Sequence, residues 1–462
     1  MNTRTFKLVT LAMISALYVG NAAAEELQQS DLTLATQQLE LENKVEEARL
    51  AAEKKAEEER LALEAEKRFS ERLGEVSLQF KPLIAKIYVE NHFSPIWTDN
   101  QAKQQFLHDY ALAIAGGISK RSANALNAIH EATGKGELIE DVLLTDAFLD
   151  YLFYATNVAK SAQKWLYAGN SYKAGQLSDE QVSAWLSAVK NNDNFTFVKN
   201  LSGENTLFKQ TSARVAHVIE AGVDKHNMVE LHRLAINAQR LRILPVFQDG
   251  IFVNIPSYEL NYYRDGQVVL SSRVIVGQSS RKTPVMSSRL SNVVVNPPWN
   301  APTRLINEDI IPKVRKDPSY IYRHGYTIID GSGNTIDPYT IDWENMSAKR
   351  FPYRLRQAPS DNSALGNYKF NMPSSEAIYL HDTPKRNLFG NKNRALSSGC
   401  VRVEKSDQLA TILLKEAGWT DERKQNVLKS KKTTSAGIKS DNPVFLYYVT
   451  AWVDKDQVHT LP

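Results

Sequence analysis

The spacing of apolar and polar positions divides the chain into three parts, and the first is dominated by charge. Residues 38–72 consist mainly of Ala, Glu, Lys, Leu and Arg, and they contain no Gly or Pro. Acidic and basic residues recur three and four positions apart, which favours a helix with a solvated surface. The apolar positions keep no strict heptad, so a coiled coil is the weaker alternative. We predict a charged spacer helix over residues 25–74.

The second part has the periodicity of packed helices. From residue 75 to 235, apolar residues recur at three- and four-residue spacing, and short breaks with Gly, Asn or Pro separate the segments. Six of the nine histidines lie here at spacings that do not suit metal ligands, so we interpret them as ordinary helix-face residues. We predict an α-helical scaffold domain over 75–235.

The third part alternates apolar and polar positions, as β-strands do. Residues 250–278 alternate around Asp265-Gly266, a dipeptide typical of a hairpin turn. A further strand pattern spans 442–454. We predict a β-rich domain over 236–456, and therefore an α+β multidomain fold.

A segment rich in charged and aromatic residues, 303–365, interrupts the strand patterns. A segment of this length between strands is more often functional than passive. We predict that it forms a mobile cap over a cleft, with a decorative insertion as the alternative.

The N-terminal residues have the three-part layout of a secretory signal peptide. Arg4 and Lys7 precede the apolar run LVTLAMISALYVG, and three alanines stand ahead of Glu25. The run is too short to span a bilayer, although a retained anchor is the alternative. We predict a signal peptide over 1–24 and a location in the periplasm.

Charge and cysteine content narrow the possible chemistry. Lys and Arg number 56 against 52 Asp and Glu, a balance that argues against a nucleic-acid partner. Cys400 is the only cysteine, so an exported chain would have no internal disulfide. A lone thiol in an oxidising compartment indicates intermolecular pairing, a reactive group or a buried inert residue.

The residues around Cys400 favour a reactive thiol. Gly399 allows a sharp turn that exposes the N–H groups of Gly399 and Cys400 together, an arrangement suited to an oxyanion. Arg394 and Arg402 flank the thiol and can lower its pKa or bind a carboxylate. His381 ends a strand-like run, and a return strand can bring its imidazole to the thiol. By spacing alone, a structural cysteine and an unrelated histidine stay open.

The segment from His381 to Cys400 resembles the catalytic motif of the L,D-transpeptidases. That motif is a histidine followed at a distance by Ser/Thr-His-Gly-Cys, and here H-D-T-P is followed by R-A-L-S-S-G-C-V-R-V. Ser398 replaces the second histidine, which is typical of the large periplasmic YcbB-type branch. The stretches VIVGQSSRKTPV, DIIPKVRKDPSYIYRHGY and RQAPSDNSALGNYKF are also similar to that branch. The resemblance covers about 236–454, as a YkuD-type catalytic domain.

The resemblance implies a reaction on peptidoglycan stem peptides. Cys400 would attack the carbonyl of the third residue of a tetrapeptide stem and expel the terminal D-alanine. An amine of a second stem would resolve the thioester and form a 3–3 cross-link. His381 would be the acid and base, oriented by the backbone carbonyl of Asp382. The oxyanion would bind N–H groups near Ser398 and Gly399.

The resemblance also implies how the stems are held and what else is involved. No metal or organic cofactor is expected, and carbapenems are expected to acylate the cysteine. Roles in cell-wall biogenesis and cell shape would bring other cell-wall synthesis proteins as partners. Lys385 and Arg386 lie between the two catalytic residues, where an acceptor stem would approach. The expected substrate-binding residues are Arg402, Arg394, Tyr379, Lys385 and Arg386, with Trp299 a weaker candidate.

Three other functions stay open at this point. An L,D-carboxypeptidase would use water as acceptor, and a lipoprotein-attaching transpeptidase would use a protein lysine. The charged helix and the large helical region also suit a non-catalytic wall-assembly protein. The sequence does not decide the acceptor or the oligomeric state.

Overall fold

The computed structural model describes residues 22–168, 172–225, 227–347, 351–438 and 441–461. Residues 1–21, which hold most of the predicted signal peptide, lie outside this description. Across the described residues, none of the helices combines the length and the apolar character needed to cross a membrane. The α-helices are α1 (Ala22–Leu73), α2 (Lys81–Glu90), α3 (Asn100–Ala115), α4 (Lys120–Ala132), α5 (Glu137–Ala162), α6 (Asp179–Lys190), α7 (Asn194–Asn200), α8 (Thr206–Glu220), α9 (Met228–Arg242), α10 (Thr303–Leu305), α11 (Ile311–Lys316), α12 (Tyr320–Arg323), α13 (Ser406–Glu416) and α14 (Asp421–Ser430).

The strands begin after α9, where the sequence pattern changes to alternation. They are β1 (Gly250–Asn254), β2 (Glu259–Arg264), β3 (Gln267–Gly277), β4 (Met286–Arg289), β5 (Asn292–Val295), β6 (Trp299–Asn300), β7 (Tyr326–Ile329), β8 (Thr335–Ile336), β9 (Arg354–Gln357), β10 (Tyr368–Asn371), β11 (Leu380–His381), β12 (Ala395–Ser397), β13 (Val401–Val403), β14 (Thr434–Gly437), β15 (Pro443–Tyr447), β16 (Ala451–Asp454) and β17 (Gln457–Thr460). Helices followed by a β-rich region confirm the predicted α+β class.

Among the described residues, one compact unit consists of 22–96 together with 132–146. In it, α1 packs on α2, and the side chains of residues 40–61 in α1 are exposed. The Asp146 carboxylate accepts the backbone N–H groups of Gln79 and Phe80, which fixes the start of α2. The exposed part of α1 therefore has the solvated surface that its charge pattern predicts.

The second unit joins residues 97–131 to the rest of the chain from residue 147. Its helices enclose a cluster of packed aromatic rings, such as Phe148 and Trp185, whose centroids lie 4.7 Å apart. The apolar faces of α8 and α9 pack against Phe252, Tyr447 and Val453 of the β-rich region in one shared core. The predicted boundary at residue 235 is therefore not a break in the packing.

The main sheet places β11 and β13 at its centre. Its strand order is β14-β5-β10-β11-β13-β3-β2-β1-β15-β4, and β12 adds to β3. One face is a core of aliphatic and aromatic side chains that α13 covers through Leu409, Leu413 and Leu414. On the opposite face of the sheet, β11 and β13 carry polar side chains.

The predicted insertion forms a folded subdomain with its own core. Strands β6, β9, β7 and β8 make a four-stranded sheet, and α10 to α12 pack beside it. Ile310, Val314 and Leu355 lie in its core, each at most 3% exposed. The subdomain begins at Trp299, before the predicted start at residue 303, because Trp299 pairs with Gln357 across the sheet. We call residues 299–357 the capping subdomain.

Candidate active site

The parallel pairing of β11 with β13 brings the predicted catalytic residues to one place. Leu380 lies opposite Val401, and His381 lies opposite Arg402. Because side chains alternate along a strand, Leu380 and Val401 enter the core while His381 and Arg402 face the other side. Cys400 immediately precedes β13. Cys400, His381 and Arg402 line the same cavity, of about 580 Å³.

Two side-chain hydroxyl groups form hydrogen bonds with the backbone of Gly399 and Cys400. Ser397 Oγ donates to the carbonyl oxygen of Cys400 at 2.6 Å and accepts the N–H of Gly399 at 3.1 Å. Thr283 Oγ donates to the carbonyl oxygen of Gly399 at 2.7 Å. Gly399 has a φ of +124°, a value at which a side chain is strained. This position therefore requires glycine and presents the thiol from a fixed loop.

The same contacts correct one prediction. The Gly399 N–H is engaged by Ser397 Oγ, so it is not available to an oxyanion in this geometry. The N–H groups of Ser398 and Cys400 stay the predicted donors. The sequence could not reveal this, because it does not say where the Ser397 hydroxyl points.

Tyr379 lies beside the Cys400 thiol and influences its pKa. Hydrogen bonding from its backbone N–H and its hydroxyl lowers the pKa of the Cys400 thiol, and hydrogen bonding from Trp299 lowers the pKa of Tyr379 itself. Burial raises the pKa of the Cys400 thiol, while the Tyr379 hydrogen bonds and the charges of Lys369 and Arg402 oppose that rise. The balance leaves the thiol protonated at rest, with groups in place that would stabilise its thiolate.

His381 is held as a neutral base. Its Nδ1 lies 2.6 Å from the carbonyl oxygen of Asp382, which can only accept, so Nδ1 carries the proton and Nε2 does not. Burial, then the charges of Arg402 and Lys369, lower the pKa of His381 to about 3, against the opposing hydrogen bond to Asp382. Asp382 contacts the imidazole through its backbone carbonyl. The Asp382 carboxylate instead accepts a hydrogen bond from Ser406 Oγ at 2.7 Å.

Two arginines connect the capping subdomain with residues 397–400, which we call the nucleophile loop. Arg281, from the loop after β3, binds Asp309 of the capping subdomain at 2.7 Å and donates to Ser398 Oγ at 3.0 Å. Arg304 donates to the carbonyl oxygen of Ser398 at 3.2 Å. The residue that replaces the family's second histidine is therefore held by two guanidinium groups. Other capping residues that line the cavity are Trp299, Lys313, Tyr320 and Tyr326.

Comparison with known proteins identifies this arrangement. Residues 248–435 match the YkuD family, described as the L,D-transpeptidase catalytic domain, and residues 82–214 match the family described as the Scaffold domain. A curated protein of Haemophilus influenzae, named "Putative L,D-transpeptidase", is 58% identical over 393 residues, covering 85% of this chain and 79% of that protein. The chain belongs to the L,D-transpeptidase family. The pairing of a YkuD domain with a scaffold domain confirms the predicted YcbB-type architecture.

Solved structures of L,D-transpeptidases are similar only in part. The NMR structure of the catalytic domain from E. faecium L,D-transpeptidase is 13% identical, with a TM-score of 0.21, over 44% of this chain and 98% of that chain. The structure of the Ldtfm–avibactam carbamoyl enzyme is 12% identical, with a TM-score of 0.22, over 45% of this chain and half of that one. The family assignment rests on the sequence matches.

Three basic residues predicted to bind substrate in this L,D-transpeptidase lie elsewhere. Arg394 donates to the carbonyl oxygens of Val274 and Tyr258, so its guanidinium holds the sheet. Arg386 binds the Asp382 carboxylate at 3.1 Å. Neither of them nor Lys385 is among the residues that line the cavity around Cys400. Residues 385–394 do not line this cavity, so the prediction that they receive the acceptor gains no support from its lining and stays a prediction.

Among the residues that the structure describes, no group of three or more His, Cys, Asp or Glu side chains could hold a metal ion. The groups that line the cavity include the Cys400 thiol, the His381 imidazole and the guanidinium groups of Arg281, Arg304 and Arg402. Sequence reasoning missed Arg281, Arg304 and Lys369, although Arg281 and Lys369 lie in stretches that resemble the family.

Replacing His381 by glutamine should make the protein less sensitive to acid. The pKa of His381 is about 3 in the folded state, below its ordinary value of 6.5, so the unfolded state binds the extra proton between these pH values. Stability is therefore lost as pH falls through this window, and the loss is absent in His381→Gln. Melting temperatures between pH 7 and 4 would measure it.

His130→Gln is the matched control, because His130 is exposed on α4. It should follow the wild type. Parallel curves for wild type and His381→Gln would show that His381 is not held neutral by its surroundings.

Proposed function

We propose that this protein is a periplasmic peptidoglycan L,D-transpeptidase that forms 3–3 cross-links through a thioester on Cys400. One observation carries the proposal. The Cys400 thiol shares a cavity with Tyr379 and with a neutral imidazole whose Nδ1 is fixed by a backbone carbonyl. The periplasmic location rests on the N-terminal sequence pattern.

In the proposed acylation, His381 Nε2 takes the thiol proton as the Cys400 sulfur attacks the carbonyl carbon of the third stem residue. The oxyanion that forms receives hydrogen bonds from N–H groups near Ser398 and Cys400. The intermediate collapses when the bond to the terminal D-alanine breaks, and His381 gives its proton to that leaving amine. The product is a thioester on Cys400 with a neutral imidazole beside it.

The second half returns the enzyme to its starting state. The amine of an acceptor stem attacks the thioester carbonyl, and His381 accepts a proton from that amine. The carbon–sulfur bond then breaks, the peptide bond is made, and the proton returns to sulfur. The Tyr379 hydrogen bonds that stabilise a thiolate assist this departure.

Arg402 is suited to hold a carboxylate of the stem. Its guanidinium is largely buried beside Cys400, and burial lowers its pKa. Within the described part of the chain, its Nε is buried without a hydrogen-bond partner. A buried cation with an open donor favours an anionic ligand, and a peptidoglycan stem carries such carboxylates.

The proposal predicts a specific product from a simple reaction. Purified protein incubated with a disaccharide-tetrapeptide should release D-alanine and yield dimers joined through the third residues of both stems, as tandem mass spectrometry would show. Cys400→Ser is the control and should yield neither.

Other results would identify a different function. Release of D-alanine with only tripeptide stems would indicate an L,D-carboxypeptidase. Transfer to a lipoprotein lysine, without stem dimers, would indicate a lipoprotein-attaching transpeptidase. No release of D-alanine by a folded protein would favour the non-catalytic alternative.

A further inference from the structure

The strand register places a lysine directly beside the catalytic histidine. β10 runs antiparallel to β11, with Phe370 opposite Leu380 and Lys369 opposite His381. On the other side of β11, Arg402 of β13 is the residue opposite His381. Lys369, His381 and Arg402 therefore form a row across three neighbouring strands, with the imidazole between two cations. Residues opposite one another in an antiparallel pair have Cβ atoms about 4.5–5.5 Å apart.

Lys369 also lies near the thiol, through Tyr379. Its Nζ is 4.3 Å from the centroid of the Tyr379 ring, at a distance typical of a cation–π contact. Tyr379 and Cys400 line the same cavity, and hydrogen bonding from Tyr379 lowers the pKa of the thiol. A positive charge over a phenol ring draws electron density from its hydroxyl and makes that hydroxyl a stronger donor. Lys369 is half-buried, and no ion pair joins it to a carboxylate among the described residues; burial lowers its own pKa, an effect that Cys400 opposes.

The other charged groups around the cavity do not cancel this field. Asp309 and Glu376 are the carboxylates in its lining; Arg281 binds Asp309 at 2.7 Å, and Glu376 is exposed to solvent. The Asp382 carboxylate, next to His381 in sequence, is engaged by Arg386 and Ser406. The remaining ionisable groups that line the cavity are Arg281, Lys282, Arg304, Lys313, Tyr320, Tyr326, Tyr379 and Arg402.

We propose that Lys369 is a positioning residue of the active site, which acts by its charge on His381 and, through Tyr379, on Cys400. The proposal rests on the proposed function only in taking Cys400 as the nucleophile. The electrostatics agree with the geometry: Lys369 and Arg402 both lower the pKa of His381, and both oppose the rise that burial causes in the pKa of Cys400.

This placement would help both halves of a proton transfer. Before attack, the two flanking cations keep the imidazole neutral and stabilise the thiolate that forms as the proton leaves sulfur. Once His381 has taken the thiol proton, the same cations destabilise the imidazolium and favour its donation to the leaving amine. One charge thus supports the base and then the acid without touching the substrate.

The test is the reactivity of Cys400 itself, measured by alkylation with iodoacetamide between pH 5 and 11. Cys400 is the only thiol, so intact mass reports the reaction directly. Lys369→Met keeps the unbranched side chain over Tyr379 and removes only the charge. Its alkylation midpoint should lie about one pH unit higher than in wild type, which means about tenfold slower alkylation below the midpoint. Lys369→Arg keeps the charge and should stay within about twofold of the wild-type rate.

The matched control is Lys429→Met, the same substitution at an exposed lysine on α14, and it should match wild type. If Lys369→Met has the wild-type midpoint, the inference is wrong. A shift of equal size in Lys369→Arg would assign Lys369 a packing role and would also overturn it. Should Lys369→Met fail to fold by circular dichroism, Lys369→Gln takes its place with the same expected shift.

The result is separable from the proposed function. Alkylation reports the thiol whether or not stem peptides are cross-linked. A shifted midpoint in a protein that makes no dimers would support the role of Lys369 and refute the transpeptidase reaction. Dimer formation with an unshifted midpoint would support the transpeptidase reaction and refute the role of Lys369. In an active enzyme, Lys369→Met should lower kcat more than it changes KM, because Lys369 does not line the substrate cavity.

Discussion

Replacing Cys400 by alanine should abolish D-alanine release and dimer formation while leaving the fold intact. The proposed thioester forms on the Cys400 sulfur, so the proposed reaction has no acyl-enzyme once that sulfur is removed. Removal of a nucleophile from such a site typically costs on the order of 10⁴-fold or more. We expect product to fall below detection in a mass-spectrometric assay of purified protein with tetrapeptide stems.

The fold should tolerate this change because Cys400 lines a cavity and is only half buried. Deleting one sulfur there leaves its hydrogen-bond donors on Tyr379 accessible to water. We expect the melting temperature to stay within about 2 °C of wild type. A large loss of stability with residual turnover would instead identify Cys400 as a structural residue.

Replacing His381 by alanine should slow acylation of Cys400 by about 10²–10⁴-fold, the usual contribution of a general base. The reason lies in the resting state: the thiol is protonated, and His381, whose Nε2 carries no proton, lines the same cavity. A carbapenem that adds its mass once, on the peptide that contains Cys400, would measure this step without an acceptor.

His130→Ala is a suitable control, since this histidine is exposed and lies outside the cavity. It should be labelled at the wild-type rate. Equal labelling rates in wild type and His381→Ala would remove His381 from the mechanism. Loss of labelling in both variants would indicate a general defect of the preparation.

The sequence could predict what depends on local pattern. Charge spacing predicted α1, alternation around Asp265-Gly266 predicted β2 and β3, and the motif from His381 to Cys400 located the two residues that share the cavity. These features are encoded by neighbouring residues, so no knowledge of the tertiary structure is needed to see them.

What the sequence could not predict depends on register and on the direction of side chains. Lys369 and His381 are neighbours only because β10 and β11 pair with one particular alignment, and a shift of one residue would put Lys369 on the core face. Arg394 and Arg402 look equivalent beside Cys400, yet one binds backbone carbonyls and the other faces the thiol. Proximity in sequence to the nucleophile was therefore a poor guide to function.

The contacts of Arg281 constrain which substitutions related sequences can carry at this position and at its two carboxylate partners. Arg281 holds Glu308 and Asp309 of the capping subdomain with the same guanidinium that reaches Ser398. Replacing Arg281 alone would leave two carboxylates repelling each other next to the nucleophile loop, whereas losing the carboxylates alone would leave a largely buried cation unpaired. We therefore expect substitutions at these positions to be inherited together in related sequences. A comparison of lineages should show coordinated changes across more than twenty-five residues of intervening chain.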